Sequence, residues 1–273
     1  MKRVIFAVIV AVVAVGVFSA CAKKSGGNVI NIVKVVFGEG NKPKAFHDEN
    51  GKPSGYEVEV FEELDKLWDD ITLEFDMMNQ TSALLGVETG KYQIGSSGLF
   101  KNPPREEKFL FPRENLYYSP LNLVIKGDST INSFEDMRGK TFTPMQADVG
   151  TYFILEAYIK AHPEGNYTLN TIDRVVSADS ARWIAEGRYD AWFTPGEPVP
   201  PIKEALGLDI KLSDIVYYEP TYPIFNKANA DLVERYNTSI KILRENGTLS
   251  RLAVKWLGTD VFADQAAFAA RSR

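Results

Sequence analysis

Residues 32–37 read IVKVVF and residues 71–75 read ITLEF. Short runs rich in β-branched and aromatic residues are typical of strands. Between these two runs, apolar side chains recur at offsets of 1, 4, 7 and 8 residues, the spacing of one helix face: Val60, Phe61, Leu64, Leu67 and Trp68. The stretch therefore predicts a strand–helix–strand unit, from which mostly parallel α/β sheets are built.

The same alternation continues along the chain. Six further runs have strand character: Gln93–Ser97, Leu121–Ile125, Thr141–Pro144, Thr171–Val176, Ala191–Thr194 and Ile210–Leu212. Helical spacing returns near the C-terminus, where Asn246-Gly247 ends one helix and Thr248 begins the last. Beyond Gly258 the Ala-rich tail lacks capping residues, so we expect it to be loosely ordered.

Two series of strands and helices indicate two lobes. Ser133-Phe134-Glu135-Asp136 is typical of a capping box and predicts a short helix that ends at Gly139. A second strand–helix series then runs from Thr141 to about Tyr218. Ligands of open α/β sheets bind at the carboxyl ends of strands, so we expect a cleft between the lobes to be the binding site.

The first 20 residues have the pattern of a secretory signal. Lys2 and Arg3 form a basic start, Val4–Val17 is uninterrupted and apolar, and Ser19-Ala20 is a small-residue cleavage site. The apolar run is shorter than the roughly 20 residues that a membrane-spanning helix needs. An uncleaved N-terminal anchor helix is the alternative interpretation.

Cys21 is the only cysteine of the sequence, and it directly follows the small residues. A lone cysteine in an exported protein has no internal disulfide partner. Residues 17–21 resemble a bacterial lipobox, with Phe18 where Leu is usual, which implies a diacylated mature N-terminus. Two acyl chains hold a protein on a membrane stably, and Ala22–Asn28 then reads as a flexible tether.

Charge and composition exclude several classes of function. Without Lys2 and Arg3 the chain has 29 basic and 36 acidic residues, a net charge of −7, which argues against a nucleic-acid partner. His47 and His162 are far apart and lack ligand-like neighbours, so a transition-metal site is not expected. No P-loop, Rossmann or Ser/His/Asp pattern is present in the sequence, and we expect no cofactor.

An ordered series of motifs covers nearly all of the body, from Val33 to Gly258. The motifs are Asp48–Glu59, Gly90–Gln93, Asn102–Arg105, Phe134–Thr141, Glu186–Ala191, Asn246–Thr248 and Lys255–Gly258. In these motifs the chain resembles the bacterial family-3 extracellular solute-binding proteins, the polar amino-acid receptors of ABC importers. The resemblance implies a two-lobed, type II periplasmic-binding-protein-like α/β fold, a Venus flytrap with two hinge crossings, near Leu123 and near Tyr218.

These crossings divide the sequence into segments. We expect a signal peptide at 1–20, the lipidated cysteine and tether at 21–31, and a C-terminal tail at 260–273. The first lobe would combine 32–122 with 219–259, and the second lobe would comprise 123–218. We expect the protein to be a monomer.

Arg105 is the first candidate for ligand binding. The resemblance implies that its guanidinium holds the α-carboxylate of the ligand, a geometry that suits a planar fork of N–H donors. The alternative is a solvated surface charge beside Glu106 and Glu107.

Four further candidates lie where free backbone groups are expected to face the cleft, two in each lobe. Ser97 and Gly98 end a cleft strand, where the family uses free backbone groups to face the ligand. Gly150-Thr151 opens a helix of the second lobe, whose N–H groups and dipole favour an anion. Thr151 is equally consistent with a helix N-cap.

Three polar or aromatic residues complete the implied site. Phe46 lies where the family places aromatics that stack on the ligand, although aromatics in such runs are often core residues. Gln80 lies in a strand-to-helix loop where many members have an aromatic. Asn102 has a second interpretation as the cap of a helix that starts at Pro103.

The chain departs from the family at several cleft positions. Phe100 stands where the family has Ser or Thr, and Pro195 stands where it has the acid for the ligand's ammonium. Glu197 or Asp148 could replace that acid, or the ligand has no free ammonium. The usual Tyr-Pro-Pro-Phe is replaced by Asn41-Lys42-Pro43-Lys44.

The resemblance implies a lipid-anchored, extracytoplasmic receptor that closes on a small polar amino acid or derivative and passes it to a membrane permease. The stretches Lys101–Glu106 and Phe109–Pro112 are most similar to receptors for cystine and related sulphur amino acids. Two alternatives stay open: an enzyme like the cyclohexadienyl or arogenate dehydratases, with Glu197 or Asp148 as its acid, and a ligand sensor for a membrane receptor.

Overall fold

The structure is a computed structural model that describes residues 31–271. The first half of this range contains five strands and three helices: β1 (Asn31–Gly38), β2 (Phe46–His47), β3 (Pro53–Ser54), α1 (Tyr56–Asp65), β4 (Ile71–Met78), α2 (Gln80–Glu88), β5 (Ile94–Leu99) and α3 (Pro103–Lys108). The predicted signal segment, Cys21 and the tether up to residue 30 lie outside the described residues.

The remaining elements follow in this order: β6 (Tyr117–Lys126), α4 (Gly150–Ala161), α5 (Ser177–Ala185), β7 (Trp192–Pro195), α6 (Val199–Leu206), β8 (Ile210–Phe225), α7 (Ala230–Glu245), α8 (Thr248–Leu257) and α9 (Val261–Arg271). Two 3-10 turns, Glu135–Met137 and Pro163–Gly165, lie before and after α4. Within residues 31–271, no helix is long and apolar enough to span a membrane.

A six-stranded sheet runs through the molecule in the order β4-β1-β5-β8-β6-β7. Strands β4, β1 and β5 are parallel, with Asn31 beside Ile71 and Val35 beside Ile94. This arrangement confirms the strand–helix–strand unit predicted from residues 32–75. Strand β8 pairs antiparallel with both β5 and β6, and β7 pairs antiparallel with β6.

Buried apolar side chains of residues 31–271 form four clusters, and the two long strands β6 and β8 join the two largest, the first and the second core. The first core includes Phe37, Tyr117 and Phe225, and the second includes Leu121 and Leu123. Strand β6 therefore begins in one core and ends in the other, and β8 returns in the opposite direction. Two lobes connected by two crossings confirm the predicted fold class.

The two cores indicate where β6 passes from one lobe to the other. Leu121 is fully buried in the second core, whereas Tyr117 packs in the first. We propose that β6 crosses between the lobes at residues 118–120. The sequence motifs predict that the first lobe extends to residue 122. The other lobe bounds stay as predictions.

Two predicted strands are absent from the second lobe. Thr141–Pro144 and Thr171–Val176 make only single β-bridges, Thr141 to Thr168 and Met145 to Thr171 among them. Pro144 has no N–H to donate to a ladder, which limits pairing at that run. Ile210–Leu212 proves to be the start of the 16-residue strand β8, and the small β2–β3 hairpin had no clear strand signal.

The helix predictions need two corrections. Leu67 is 43% exposed because α1 ends at Asp65, before the apolar pattern does. The C-terminal tail is an ordered helix, α9, and not a loose segment. Asp260 supplies the cap that the sequence analysis missed, since its Oδ1 accepts from the N–H groups of Phe262 at 3.1 Å and Ala263 at 3.3 Å.

The predicted capping box at residues 133–136 is confirmed. The Asp136 carboxylate accepts from the Ser133 N–H at 3.0 Å, and the Asp136 N–H donates to the Ser133 hydroxyl at 3.3 Å. These reciprocal bonds begin the short 3-10 turn Glu135–Met137 and fix the chain at the entry to the second lobe.

Candidate functional site

A cavity of about 790 Å³ lies between the two lobes. Its walls come from the loop after β1, from the start of α2, from the end of β5, from the crossing strand β6 and from the segment after β7. The lining residues that carry polar or charged groups include Glu39, Asn41, Lys42, Lys44, Gln80, Ser97, Ser119, Ser177 and Glu197. The cavity lies at the carboxyl ends of β1, β5 and β7, as expected for an open α/β sheet.

Gly98 forms part of the cavity wall in a conformation that requires glycine. Its φ is +61°, and a Cβ there would lie 2.8 Å from the Tyr117 hydroxyl and 3.2 Å from Nδ2 of Asn41. Behind it, the fully buried Glu57 accepts hydrogen bonds from Ser96 and Tyr117. Burial raises the pKa of the Glu57 carboxyl, against the opposing effects of these bonds and of the Lys44 charge.

An ion pair spans the cleft. Nζ of Lys44, in the first lobe, lies 3.0 Å from Oε1 of Glu197, in the second lobe. The lysine side chain is 8% exposed and the glutamate side chain 30% exposed. Nζ of Lys44 also lies 5.7 Å from the centre of the Tyr117 ring. A positive and a negative charge therefore face each other within the cavity wall.

Two buried polar atoms of the cavity wall lack a hydrogen-bond partner among the described residues. They are Oε2 of Glu197 and the hydroxyl of Ser119, a residue that is 1% exposed on the crossing strand β6. Buried polar groups in folded proteins are nearly always paired, with protein or with another molecule. Both atoms belong to residues that line the cavity, and each would gain a partner from a polar molecule bound beside it.

Arg105 does not line this cavity. Its Nη1 donates to the backbone carbonyl of Phe100 at 2.8 Å, and burial lowers the pKa of the guanidinium, partly offset by the Asp148 carboxylate. A Cβ added to Gly150 would lie 2.7 Å from the Phe100 side chain, which shows that Phe100 packs against the start of α4. Gly150 thus has to be glycine to admit this ring.

The helix start predicted at Gly150-Thr151 is confirmed, since α4 begins at Gly150, but the interpretation of Thr151 as an N-cap is wrong because Val149 is at that position. Thr151 lines a second, smaller cavity of about 220 Å³ within the second lobe. Val149 and Ser177 line both cavities, so the smaller one adjoins the cleft. The binding role of the helix start remains a prediction.

Three other candidates lie away from the cavity. Phe46 packs edge-on against Trp256, with ring centres 5.9 Å apart, because the β2–β3 hairpin leads the chain away from the cleft. Asn102 caps α3 by accepting from the Arg105 N–H at 3.0 Å, which confirms the capping interpretation. Asp148 is exposed on the second lobe, near Arg105.

The structure thus brings together four of the predicted ligand-binding residues: Ser97, Gly98, Gln80 and Glu197. Sequence analysis missed Lys44, Ser119 and the position of Phe100. The departures at 41–44 and at Phe100 were visible in the sequence, but their consequence for the cleft was not. Ser119 had no sequence signal, since one serine in a strand is unremarkable without its surroundings.

Comparison with known proteins identifies the family. The model for bacterial extracellular solute-binding proteins, family 3, matches residues 33–259. The chain belongs to this family. The L-cystine-binding protein TcyJ of Bacillus subtilis (strain 168) is 30% identical over 218 residues, which cover 79% of this chain and 80% of that protein.

Solved structures support the same fold. The probable amino-acid ABC transporter extracellular-binding protein ytmK from Bacillus subtilis has a TM-score of 0.68 at 24% identity, covering 84% of this chain and 98% of that one. A structure from work on glutathione import via GshT and the cystine ABC importer TcyBC of Streptococcus mutans has a TM-score of 0.65 at 28% identity, covering 85% and 97%.

Proposed function

We propose that this protein is the substrate-binding component of an ABC importer, and that it captures a small zwitterionic amino acid or derivative between its lobes. The observation that carries the proposal is the interlobe cavity, whose wall presents opposite charges from the two lobes and two unpaired buried polar atoms. The relative named for L-cystine makes a cystine-like ligand the first candidate.

Capture would couple to closure of the lobes. A ligand favours the closed form only through contacts that it does not make in the open form, so it has to touch both lobes. The cavity wall offers such contacts, with Ser97 and Lys44 on one side and Glu197 and Ser177 on the other. Closure about β6 and β8 would give the permease a surface formed by both lobes.

The geometry favours binding over the dehydratase alternative. Such a reaction needs a free acid positioned in the cleft. Glu197 is ion-paired with Lys44, and Asp148 is exposed outside the cavity. Neither of the two acids proposed for that reaction is therefore free within the cavity.

We also propose that Cys21 is acylated and holds the protein on the outer face of the cell membrane, where a permease would be within reach. This proposal rests on residues 17–21 and on the absence of a second cysteine in the sequence. Metabolic labelling with palmitate tests it: wild type should be labelled, and Cys21→Ala should not.

A thermal-shift screen tests the ligand class. The soluble body from Lys23 onward is melted with L-cystine, other amino acids and their deaminated analogues. A ligand at a hundredfold excess over its Kd should stabilise the folded state by about 2.7 kcal/mol. If no amino acid shifts the melting temperature, the proposed function fails.

A further inference from the structure

Three cations are candidates for the ligand's carboxylate, and they differ in access: Lys42 and Lys44 line the cavity, whereas Arg105 does not. Arg105 is bonded to the Phe100 carbonyl, and the Phe100 ring covers the start of α4 at Gly150. The Arg105 guanidinium is thus engaged with the backbone of its own lobe and does not line the cavity. Lys44, in contrast, is in the wall of the open cavity.

Lys44 is held where an anion can reach it. Its side chain is 8% exposed, and its Nζ contacts Oε1 of Glu197 across the cleft. An ammonium group has three N–H donors. One ion pair leaves capacity for a second anionic oxygen in the cavity.

Glu197 and Ser119 provide hydrogen-bond partners for the ligand's ammonium group. Oε2 of Glu197 and the Ser119 hydroxyl are buried in the cavity wall and have no partner among residues 31–271. A carboxylate oxygen accepts from an ammonium, and a hydroxyl can donate or accept. An ammonium group placed beside Glu197 would satisfy an atom that is otherwise costly to bury.

We propose that Lys44, Glu197 and Ser119 form the headgroup site of this protein. The ligand's carboxylate binds Lys44, its ammonium binds Glu197, and Ser119 donates to or accepts from the same headgroup. Phe100 keeps the headgroup away from Arg105 and from the first turn of α4. This inference deepens the proposed function and rests on it, because it names the ligand class as a zwitterion with both charged groups free.

The arrangement also explains how one ligand would join the lobes. Lys44 belongs to the first lobe and Glu197 to the second, so a zwitterion between them contacts one charge on each side. The ligand has both signs of charge, and it can replace one ion pair by two. A ligand lacking either group offers an opposite charge to only one of Lys44 and Glu197, so it cannot compensate both residues when it separates them.

Three disulfide compounds test the charge assignment by titration calorimetry on the full chain in mild detergent. L-cystine has both groups, cystamine lacks the carboxylates, and dithiodipropionate lacks the ammonium groups. Wild type should bind L-cystine at least about 30-fold more tightly than either analogue, the effect expected for losing one partner of a desolvated charge pair.

Two variants should remove this discrimination selectively. Lys44→Met should weaken L-cystine binding by at least about 30-fold, so that L-cystine binds about as weakly as cystamine. Glu197→Gln should likewise make L-cystine bind about as weakly as dithiodipropionate. A residue that merely joins the lobes would weaken all three compounds alike. Ser119→Ala should weaken L-cystine by about tenfold or less, as for one hydrogen bond.

Two matched controls complete the experiment. Lys52→Met removes an exposed lysine of the first lobe that does not line the cavity and should leave L-cystine affinity within about threefold of wild type, as should Arg105→Met. The proposal is overturned if Arg105→Met abolishes carboxylate discrimination while Lys44→Met retains it. If wild type binds no amino acid, the proposed function itself is wrong; if wild type binds and the Lys44 and Glu197 variants retain full discrimination, only this inference is wrong.

Discussion

Gly98 is a cleft residue that is constrained both by its backbone conformation and by its place in the wall of the binding cavity. Its backbone faces the cavity at φ +61°, and its missing side chain admits the Tyr117 hydroxyl. Gly98→Ala should lower the free energy of unfolding by about 1 to 3 kcal/mol, because the left-handed conformation and the Tyr117 contact both oppose a Cβ.

Urea denaturation measures this change, with Gly187→Ala as the matched control. Gly187 has a similar φ of +70° but nothing within 4 Å of its added Cβ, so only the backbone cost remains. Equal losses in the two variants would show that the Tyr117 contact contributes nothing.

Glu219, on the crossing strand β8, gives a pH-dependent prediction. Burial raises the pKa of its carboxyl from 4.5 to about 7. The folded state therefore binds the proton more tightly than the unfolded state, and folding stability falls as the pH rises from about 4.5 to 7. Glu219→Gln should raise the melting temperature at pH 8 and leave it unchanged near pH 4.

Melting curves at the two pH values check this expectation, with the exposed Glu49→Gln as the control. A stabilisation by Glu219→Gln that is the same at both pH values would contradict it, because such a gain would not come from the carboxylate charge.

At the scale of helices and strands, the sequence predicted the first lobe better than the second. Strand β1 is mostly buried and β4 alternates buried with more exposed residues, and both patterns are long enough to predict a strand. In the second lobe, residues 141–144 and 171–176 have the same composition but pair through single bridges. Pairing depends on a partner distant in sequence, which composition does not reveal.

The C-terminal helix α9 shows how one overlooked cap changes a prediction. Asp260 accepts from two N–H groups of the first turn, and Phe262 packs against Tyr118 with ring centres 6.0 Å apart. Asp260→Ala should lower the free energy of unfolding by about 1 kcal/mol, the usual loss for an N-cap. Urea denaturation tests it, and a change below about 0.3 kcal/mol would mean that packing alone holds α9.

The candidate site was only partly predictable for a related reason. Motif positions predicted Ser97, Gly98, Gln80 and Glu197, which do meet in one cavity. They could not predict that the Phe100 ring lies over Gly150, or that Lys44 reaches Glu197 across the cleft. Those contacts join different lobes, and no local sequence pattern encodes them.

At the scale of the whole molecule, Phe100 and the Lys44–Glu197 pair connect the lobes directly. The Phe100 side chain packs in the core of the second lobe although its backbone belongs to the first. Phe100→Ala removes this contact and should shift the protein towards an open form, since closure depends on contacts across the cleft. Small-angle X-ray scattering without ligand should then give a larger radius of gyration than wild type.

Phe75→Ala is the matched control, because Phe75 packs against the core of the first lobe and does not line the cavity. If both variants leave the radius of gyration unchanged, Phe100 does not hold the lobes together.

Titration calorimetry of the wild-type protein with L-cystine, cystamine and dithiodipropionate is the sharpest test of the headgroup site. We predict saturable, one-to-one binding of L-cystine and at least about 30-fold weaker binding of cystamine and dithiodipropionate. Equal binding of all three compounds, or no binding of L-cystine and of the other amino acids, would contradict this prediction.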